Sequence, residues 1–425
     1  MKSISTAALA AAMMAGAAGL TVAPPAFAKK KEEVPKGPVV SPAVGAAVQK
    51  AKTALEAKDL ATAATAVAEA EAAAKTDDEK YFATVMRYML EGQKNATASA
   101  GTNGVSDDTP LIAPLDALIA NPKTPQNLLP SFEYSRATIA YNAKAWPTAI
   151  RLFVSAQQHG STESNLPLYL ARAQILSGDA ASGLASLEKL ADAGKQTEDF
   201  YRFALQTSAT AGLKPQAVMW MKRWLAAYPT EKNWRDALAF YALSQKPIAR
   251  LDKKPLIDLF RLMRQTKALA DQSYYEEYAQ KVMDAGLPDE TKAVIAEGKA
   301  LGKIPSPPNA NIQALITSSN AQVAAEGSFA GLEAKAAAAS TGALSWQTGD
   351  AFLGRADYAK AIALYKQALA KGGVDNDEVN THLGIALALS GDKAGAKAAF
   401  AAVTTAPRSD IAGFWATWVD NPPTS

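Results

Sequence analysis

The chain has 425 residues, with 44 lysines and arginines against 41 aspartates and glutamates, two histidines and no cysteine, for a formal charge of +3. Without cysteine there are no disulfides, thiolate metal sites, cysteine nucleophile or lipidated cysteine anchor, and His159 and His382 stand too far apart in sequence to suggest an imidazole zinc site. Near-balanced charge argues against nucleic acid as a partner, and 48% hydrophobic residues argue against a mainly disordered chain.

The amino end reads as an address. Lys2 gives a positive start, Ile4 to Val22 is apolar or small, and Ala26-Phe27-Ala28 has the small-x-small pattern that signal peptidase cleaves after. A cleavable signal peptide over 1–28 is expected, with a mature chain from Lys29 and, in a Gram-negative cell, a periplasmic location. No later segment has the roughly 18 consecutive apolar residues of a membrane span, so no stable membrane insertion is expected after cleavage. Residues 29–41, with Lys29-Lys30-Lys31-Glu32-Glu33, Pro35 and Pro38, read as a disordered tether in which the glutamates weaken any lipid contact of the lysines.

From Pro42 onward, stretches of roughly 12 to 18 residues with helical apolar spacing alternate with short Gly, Asp, Asn or Pro breaks, which predicts an all-α chain. Alanine supplies about a fifth of the sequence and suits close helix packing. Near the carboxyl end two segments match at a fixed offset, pairing Gly349 with Gly384, Ala361 with Ala396 and Tyr365 with Phe400. A period near 34 points to a helical-repeat solenoid. The small residues would let two antiparallel helices approach, and the aromatics would fill the gap between neighbouring units.

These residues resemble tetratricopeptide repeats. Gly349, Phe352, Asp357-Tyr358, Ala361-Ile362, Tyr365 and Ala368-Leu369 occupy the motif's places in one unit; Leu383-Gly384, Leu387, Gly391-Asp392, Ala396, Phe400 and Pro407 do so in the next. Weaker copies are carried by Tyr141, Trp146, Ala149 and Phe153; by Leu170, Gly178-Asp179, Gly183 and Leu187; by Gly212, Ala217, Leu225 and Pro229; and by Trp234, Leu238 and Tyr241. Lys58-Asp59-Leu60 with Ala63 and Val67 gives a degenerate first copy. The resemblance implies a right-handed superhelical solenoid of about ten antiparallel helix pairs. Its expected divisions are an array over 42–303 with a long polar loop at 94–110, a Pro-rich joint at 304–309, and repeats over 310–425. These end in a capping helix from Ile411 to Val419 whose aromatics belong to the core.

The chain offers few groups arranged for chemistry. His159 sits at a predicted helix end, where an imidazole suits the helix dipole, and His382 lies in the first helix of the last full repeat. Ser186-Leu187-Glu188-Lys189 matches Ser-x-x-Lys, with Ser318-Ser319-Asn320 as a loose companion, but no Lys-Thr-Gly follows. Asp375-Asn376-Asp377-Glu378 begins like a calcium loop, yet Asn380 and Ala386 stand where glycine and glutamate are needed, so a helix cap is the better reading. No phosphate-binding or dinucleotide fingerprint is present. The expectation is a non-enzymatic protein with no cofactor and no metal.

What remains is a surface. The resemblance implies that the first helix of each pair lines a concave groove that contacts an extended partner peptide. Carried onto this sequence, that register puts Tyr134, Tyr141, Arg172, Arg202, Gln206, Arg235, Trp346 and Asp350 in the groove. The three arginines would form a basic track for an anionic segment, and Trp346 an apolar anchor. The lysine and asparagine clamp that some such domains use for a chaperone's carboxyl terminus is missing, since Trp346, Asp350, Thr381 and Ile385 hold the relevant places. The leading expectation is an adaptor or assembly factor in the cell envelope that binds a protein or peptide. The alternative is a polysaccharide-binding superhelix similar to the non-catalytic arch of lytic transglycosylases, with Tyr274, Tyr275 and Tyr278 stacking on sugars.

Overall fold

The computed structural model describes residues 38–100, 107–327 and 329–424. The signal peptide, and the tether up to residue 37, lie outside the described residues. Among those described there are 21 α-helices and no strand, and the chain is an all-α helical-repeat protein. It divides into two compact units at Gly194 and Lys195, not at the proline-rich stretch.

The first unit contains α1 (Pro42–Glu56), α2 (Leu60–Ala73), α3 (Asp77–Ala100), α4 (Ile112–Ala120), α5 (Leu129–Asn142), α6 (Trp146–Gln158), α7 (Leu166–Leu176) and α8 (Ala180–Ala193). Helices α1 and α2, α5 and α6, and α7 and α8 pack as pairs, and α3 lies against both members of the first. The polar stretch expected to loop from residue 94 instead continues α3 to Ala100. Its hydroxyls bond back onto the helix, Thr97 to the Gln93 carbonyl at 2.9 Å and Ser99 to the Asn95 carbonyl at 2.8 Å. Polar composition there reports a solvated helix face, not a break.

The second unit contains α9 (Glu198–Thr210), α10 (Lys214–Ala227), α11 (Glu231–Leu238), α12 (Lys253–Gln265), α13 (Gln272–Met283), α14 (Pro288–Ala300), α15 (Ala310–Glu326), α16 (Ala330–Ala338), α17 (Ala343–Gly354), α18 (Tyr358–Lys371), α19 (Asn376–Ser390), α20 (Lys393–Ala401) and α21 (Arg408–Asp420). A π-helical turn, Ala239–Leu243, follows α11. The 304–309 stretch is a packed turn: the amides of Lys303 and Ile304 both donate to the Gly298 carbonyl, Ile304 is buried, and Asn309 caps α15 through the Ile312 amide.

One turn recurs within the pairs of both units. The first helix ends on a residue with positive φ (Lys58, Gly178, Ala356 or Gly391), and an aspartate follows. The amides of Asp59, Asp179, Asp357 and Asp392 reach back to carbonyls five residues earlier at 2.9–3.0 Å, closing a Schellman motif. The same aspartates cap the next helix, accepting from Thr62, Ser182, Lys360 and Gly395. One residue thus ends one helix and starts the other.

The glycine and aromatic repeat has a direct physical cause. A Cβ on Gly349 would stand 2.7 Å from Tyr365 Cε1, and one on Gly384 would stand 2.4 Å from Phe400 Cε1. The aromatics therefore fill the seam inside their own pair. They also reach the next element, Tyr365 meeting His382 edge-on at 5.9 Å and Phe400 stacking on Trp415 at 6.3 Å.

Helix α21 does more than cap the last repeat. It packs on α19 and α20 but also on α10 and α12, returning to the beginning of its unit. Phe414 and Trp415 are fully buried, and Phe414 meets Tyr241 edge-on at 5.1 Å. The Tyr241 hydroxyl donates to Asp410, and the Thr424 amide donates to the Pro229 carbonyl at 2.7 Å.

Candidate functional site

The return of α21 brings charged side chains together inside the second unit. In α12, Asp258 and Arg261 interrupt the otherwise apolar run Leu256–Met263, and both are buried. Arg261 forms a bidentate pair with Glu290 of α14, Nε to Oε1 at 2.9 Å and Nη2 to Oε2 at 2.8 Å, and its Nη1 lies 3.1 Å from Asp258 Oδ1. The Tyr278 hydroxyl donates to Glu290 at 2.6 Å. The other oxygen of Asp258 takes Arg408 Nη1 from α21 at 2.8 Å, and Trp415 Nε1 donates to the Asp258 carbonyl at 3.2 Å.

His382 joins the two sides. Its Nε2 faces Asp258 at 3.1 Å and its Nδ1 faces Asp350 of α17 at 2.7 Å. A ring with carboxylates at both nitrogens is an imidazolium donating two hydrogen bonds. Burial disfavours that charge, but Asp350 and Asp258 outweigh it and hold the pKa at about 10. Trp346 Nε1 also lies 3.4 Å from His382 Nδ1, but two N–H groups cannot bond to each other, so the Asp350 contact governs the geometry. Glu378 accepts from Lys254 at 3.1 Å and lies 3.5 Å from Arg408.

The cluster balances: Lys254, Arg261, His382 and Arg408 against Asp258, Glu290, Asp350 and Glu378. Burial opposes ionisation of Asp258 and Glu290, yet neighbouring His382 and Arg261 charges keep both carboxyls below their ordinary values. Burial pushes the Tyr278 and Tyr365 hydroxyls well above theirs. Such a network, with its charges paired across helices, fixes how those helices meet.

The expected groove residues scatter. Tyr134 is 3% exposed and packs on Phe153, because its position in α5 faces the pair seam. Asp350 points into the charge cluster and accepts from Tyr365 at 2.7 Å. Tyr141 is half-buried among Trp146, Phe153 and Tyr169. Trp346 is half-buried, with Lys254 Nζ 4.5 Å from its ring centroid. Arg202 and Gln206 are exposed on α9; Arg202 lies 3.6 Å from Glu198 and over the Trp224 ring at 5.1 Å. Arg172 in the first unit and Arg235 in the second are half-buried.

The remaining motifs find structural partners. His159 ends α6 and meets the buried Glu133 at 2.9 Å, and Ser155 donates to the other Glu133 oxygen. Ser186 bonds back to the Ser182 carbonyl. Asp375 caps α19 through the amides of Asp377 and Glu378. Tyr275 and Tyr278 are buried, Tyr278 stacking on Phe260 at 5.5 Å, so the expected sugar-stacking platform does not form. The turn from α13 to α14 forces this, since Glu290 draws the Tyr278 hydroxyl inward. Among the described residues no group of three or more metal-ligating side chains is assembled, and no helix is long and apolar enough to cross a membrane.

No protein-family model matches the chain, and no curated protein matches it. Solved structures similar to it include Naa15/Naa10 bound to HypK, at 12% identity over 86% of this chain and 69% of that one, TM-score 0.30. They also include the maize pentatricopeptide repeat protein PPR10, at 12% identity over 88% and 62%, TM-score 0.27. Yeast Tom70 aligns at 10% identity over 88% of each chain, TM-score 0.23. At such TM-scores these likenesses define neither the path of the array nor its function. The tetratricopeptide-like character stands on the helix pairs, their shared turn and their glycine–aromatic seams.

Proposed function

We propose that the protein is a non-enzymatic helical-repeat scaffold that binds a protein or peptide partner in the cell envelope. The observation that carries this reading is how the repeats use their residues. Packing draws on the turn aspartates and the glycine–aromatic seams, while Arg202 and Gln206 on α9 face solvent and are not needed for either. Arg172 and Arg235 extend the basic character to other first helices. An anionic segment of the partner suits Arg202 and Arg235 in the second unit, and Arg172 offers the same chemistry in the first. Lys2 and Ala26-Phe27-Ala28 support export.

The test is affinity capture of the chain from its native envelope extract, alongside a variant with Arg172, Arg202 and Arg235 changed to glutamate. One dominant protein lost from the variant supports the scaffold and its surface; identical capture by both refutes the surface. Amino-terminal sequencing of the exported protein is expected to begin at Lys29, and a retained Met1 in the membrane fraction refutes the leader.

A further inference from the structure

The second unit has a cleft that neither Arg202 nor Arg235 lines. It lies where the turn into α14, the end of α15, the short helix α16 and the end of α17 meet, and encloses about 430 Å³. That falls in the range of ligand-binding pockets. Leu287, Pro288, Phe329, Leu332 and Ala351 give it apolar walls. Helix α16 forms one side and is held at both ends. Phe329 meets Phe352 edge-on at 5.4 Å, and the Lys371 ammonium binds the carbonyls of Ala336, Ala337 and Ala339 at 2.7–2.8 Å. A helix this short has little stability of its own, so these two ties keep the cleft open.

Three carboxylates line the cleft: Asp289, Glu290 and Glu326. Two are neutralised by the protein. Glu290 is bound by Arg261, and Asp289 takes Arg355 Nε at 2.7 Å. Glu326, which is exposed, forms no salt bridge among the described residues; partial burial and the charge of Asp289 raise its pKa, against the opposing charge of Arg355. Arg355 shows what this wall accommodates. Its guanidinium lies 3.3 Å from the Phe329 ring centroid, with Nη2 on the Gly327 carbonyl, so aromatic face, carboxylate and carbonyl together hold one cation. Lys335 also lines the cleft and is exposed.

We propose that this cleft binds a lysine side chain of a partner's peptide segment, the apolar stem against Leu287, Pro288 and Leu332 and the ammonium on Glu326. The site is separate from the arginine surface, and its test does not depend on that partner's identity. Lysine suits it better than arginine because the planar guanidinium position on Phe329 is already taken by Arg355, whereas a compact ammonium on a four-carbon stem needs only the Glu326 carboxylate.

The probes are acetyl-Leu-Lys-Leu-amide and acetyl-Leu-Gln-Leu-amide, titrated calorimetrically into the full-length exported chain at low salt and near pH 7. The lysine peptide is expected to bind, with Glu326→Gln and Gly331→Leu each weakening it about tenfold or more. Gly331 lines the cleft and an added Cβ there meets nothing within 4 Å, so a side chain can start from this position; unchanged thermal melting verifies that both variants fold. Equal binding of the glutamine peptide, no binding of either, or undiminished binding by Gly331→Leu overturns the proposal. Hexylammonium binding as tightly as the lysine peptide also overturns it, because a free amine would then be the occupant.

Discussion

Replacing His382 by glutamine is expected to weaken the second unit by about 3–5 kcal/mol near neutral pH, the range for removing one partner of a buried ion pair. The structure supports that figure by a second route. Holding His382 at about 10 in the folded chain against 6.5 unfolded corresponds to roughly 5 kcal/mol of preference for the charged form. The sign follows from linkage. The folded pKa is raised, so the contribution is complete below about 6.5 and is lost as pH climbs through 10. Between pH 7.5 and 9.0 the native unit should therefore lose about 1.4 kcal/mol per pH unit, because the folded state keeps a proton that the unfolded state has released. Urea unfolding followed by tryptophan fluorescence isolates this unit, since Trp146 alone of the seven tryptophans lies in the first. The variant should start lower and lack most of the slope. A loss below about 1 kcal/mol, or equal slopes in the two proteins, would refute a cationic His382 bridging Asp258 and Asp350.

Gly384→Ala is expected to cost about 1–3 kcal/mol, because the added methyl enters the Phe400 ring; calorimetric melting reads the loss, and an unchanged melting temperature contradicts the seam. Arg408→Met leaves one side of Asp258 unmatched and should cost about 3 kcal/mol, with hydrogen exchange in α21 rising first; uniform exchange across the unit would argue against a local clasp. Lys371→Met should speed exchange in α16 far more than in α18, and equal changes would show that the three-carbonyl contact does not restrain the helix. Arg202→Glu should shift stability by less than about 0.5 kcal/mol, since its pair with Glu198 is exposed; a larger loss in thermal melting would mean that this arginine is structural.

Much of the fold was legible because its local rules leave traces in single residues. Gly178-Asp179 and Gly391-Asp392 announce a turn, and the spacing of Gly349 to Tyr365 and of Gly384 to Phe400 announces a seam. Lys58 and Ala356 carry the same turn without glycine, at φ 58° and 60°; the Lys58 copy, which also lacks the glycine–aromatic seam, reads as degenerate, whereas Gly349 and Tyr365 keep the Ala356 copy recognisable. The groove was less legible. A register of exposed positions assumes an open concave face, and whether a face stays open depends on contacts between residues far apart in sequence. Asp350 occupies such a position, and it is turned to structural use with His382, which joins it to Asp258 of α12.

The sequence does hold a signal for that closure. Asp258 and Arg261 sit three residues apart in an apolar run, where two charges are costly unless each finds a partner. Their own pairing uses one of about four acceptor sites on the carboxylate and one of about five guanidinium donors, so further charges must come from other helices, and they do come from α14, α19 and α21. An apolar interior would bind these helices as strongly but would tolerate sliding between them. The ion network tolerates one arrangement, in which His382 lies between two carboxylates and Arg408 reaches the second oxygen of Asp258. Rigidity of this kind in the second unit fixes the cleft beside Glu290, because the residue that anchors the cluster through Arg261 also lines the cleft wall.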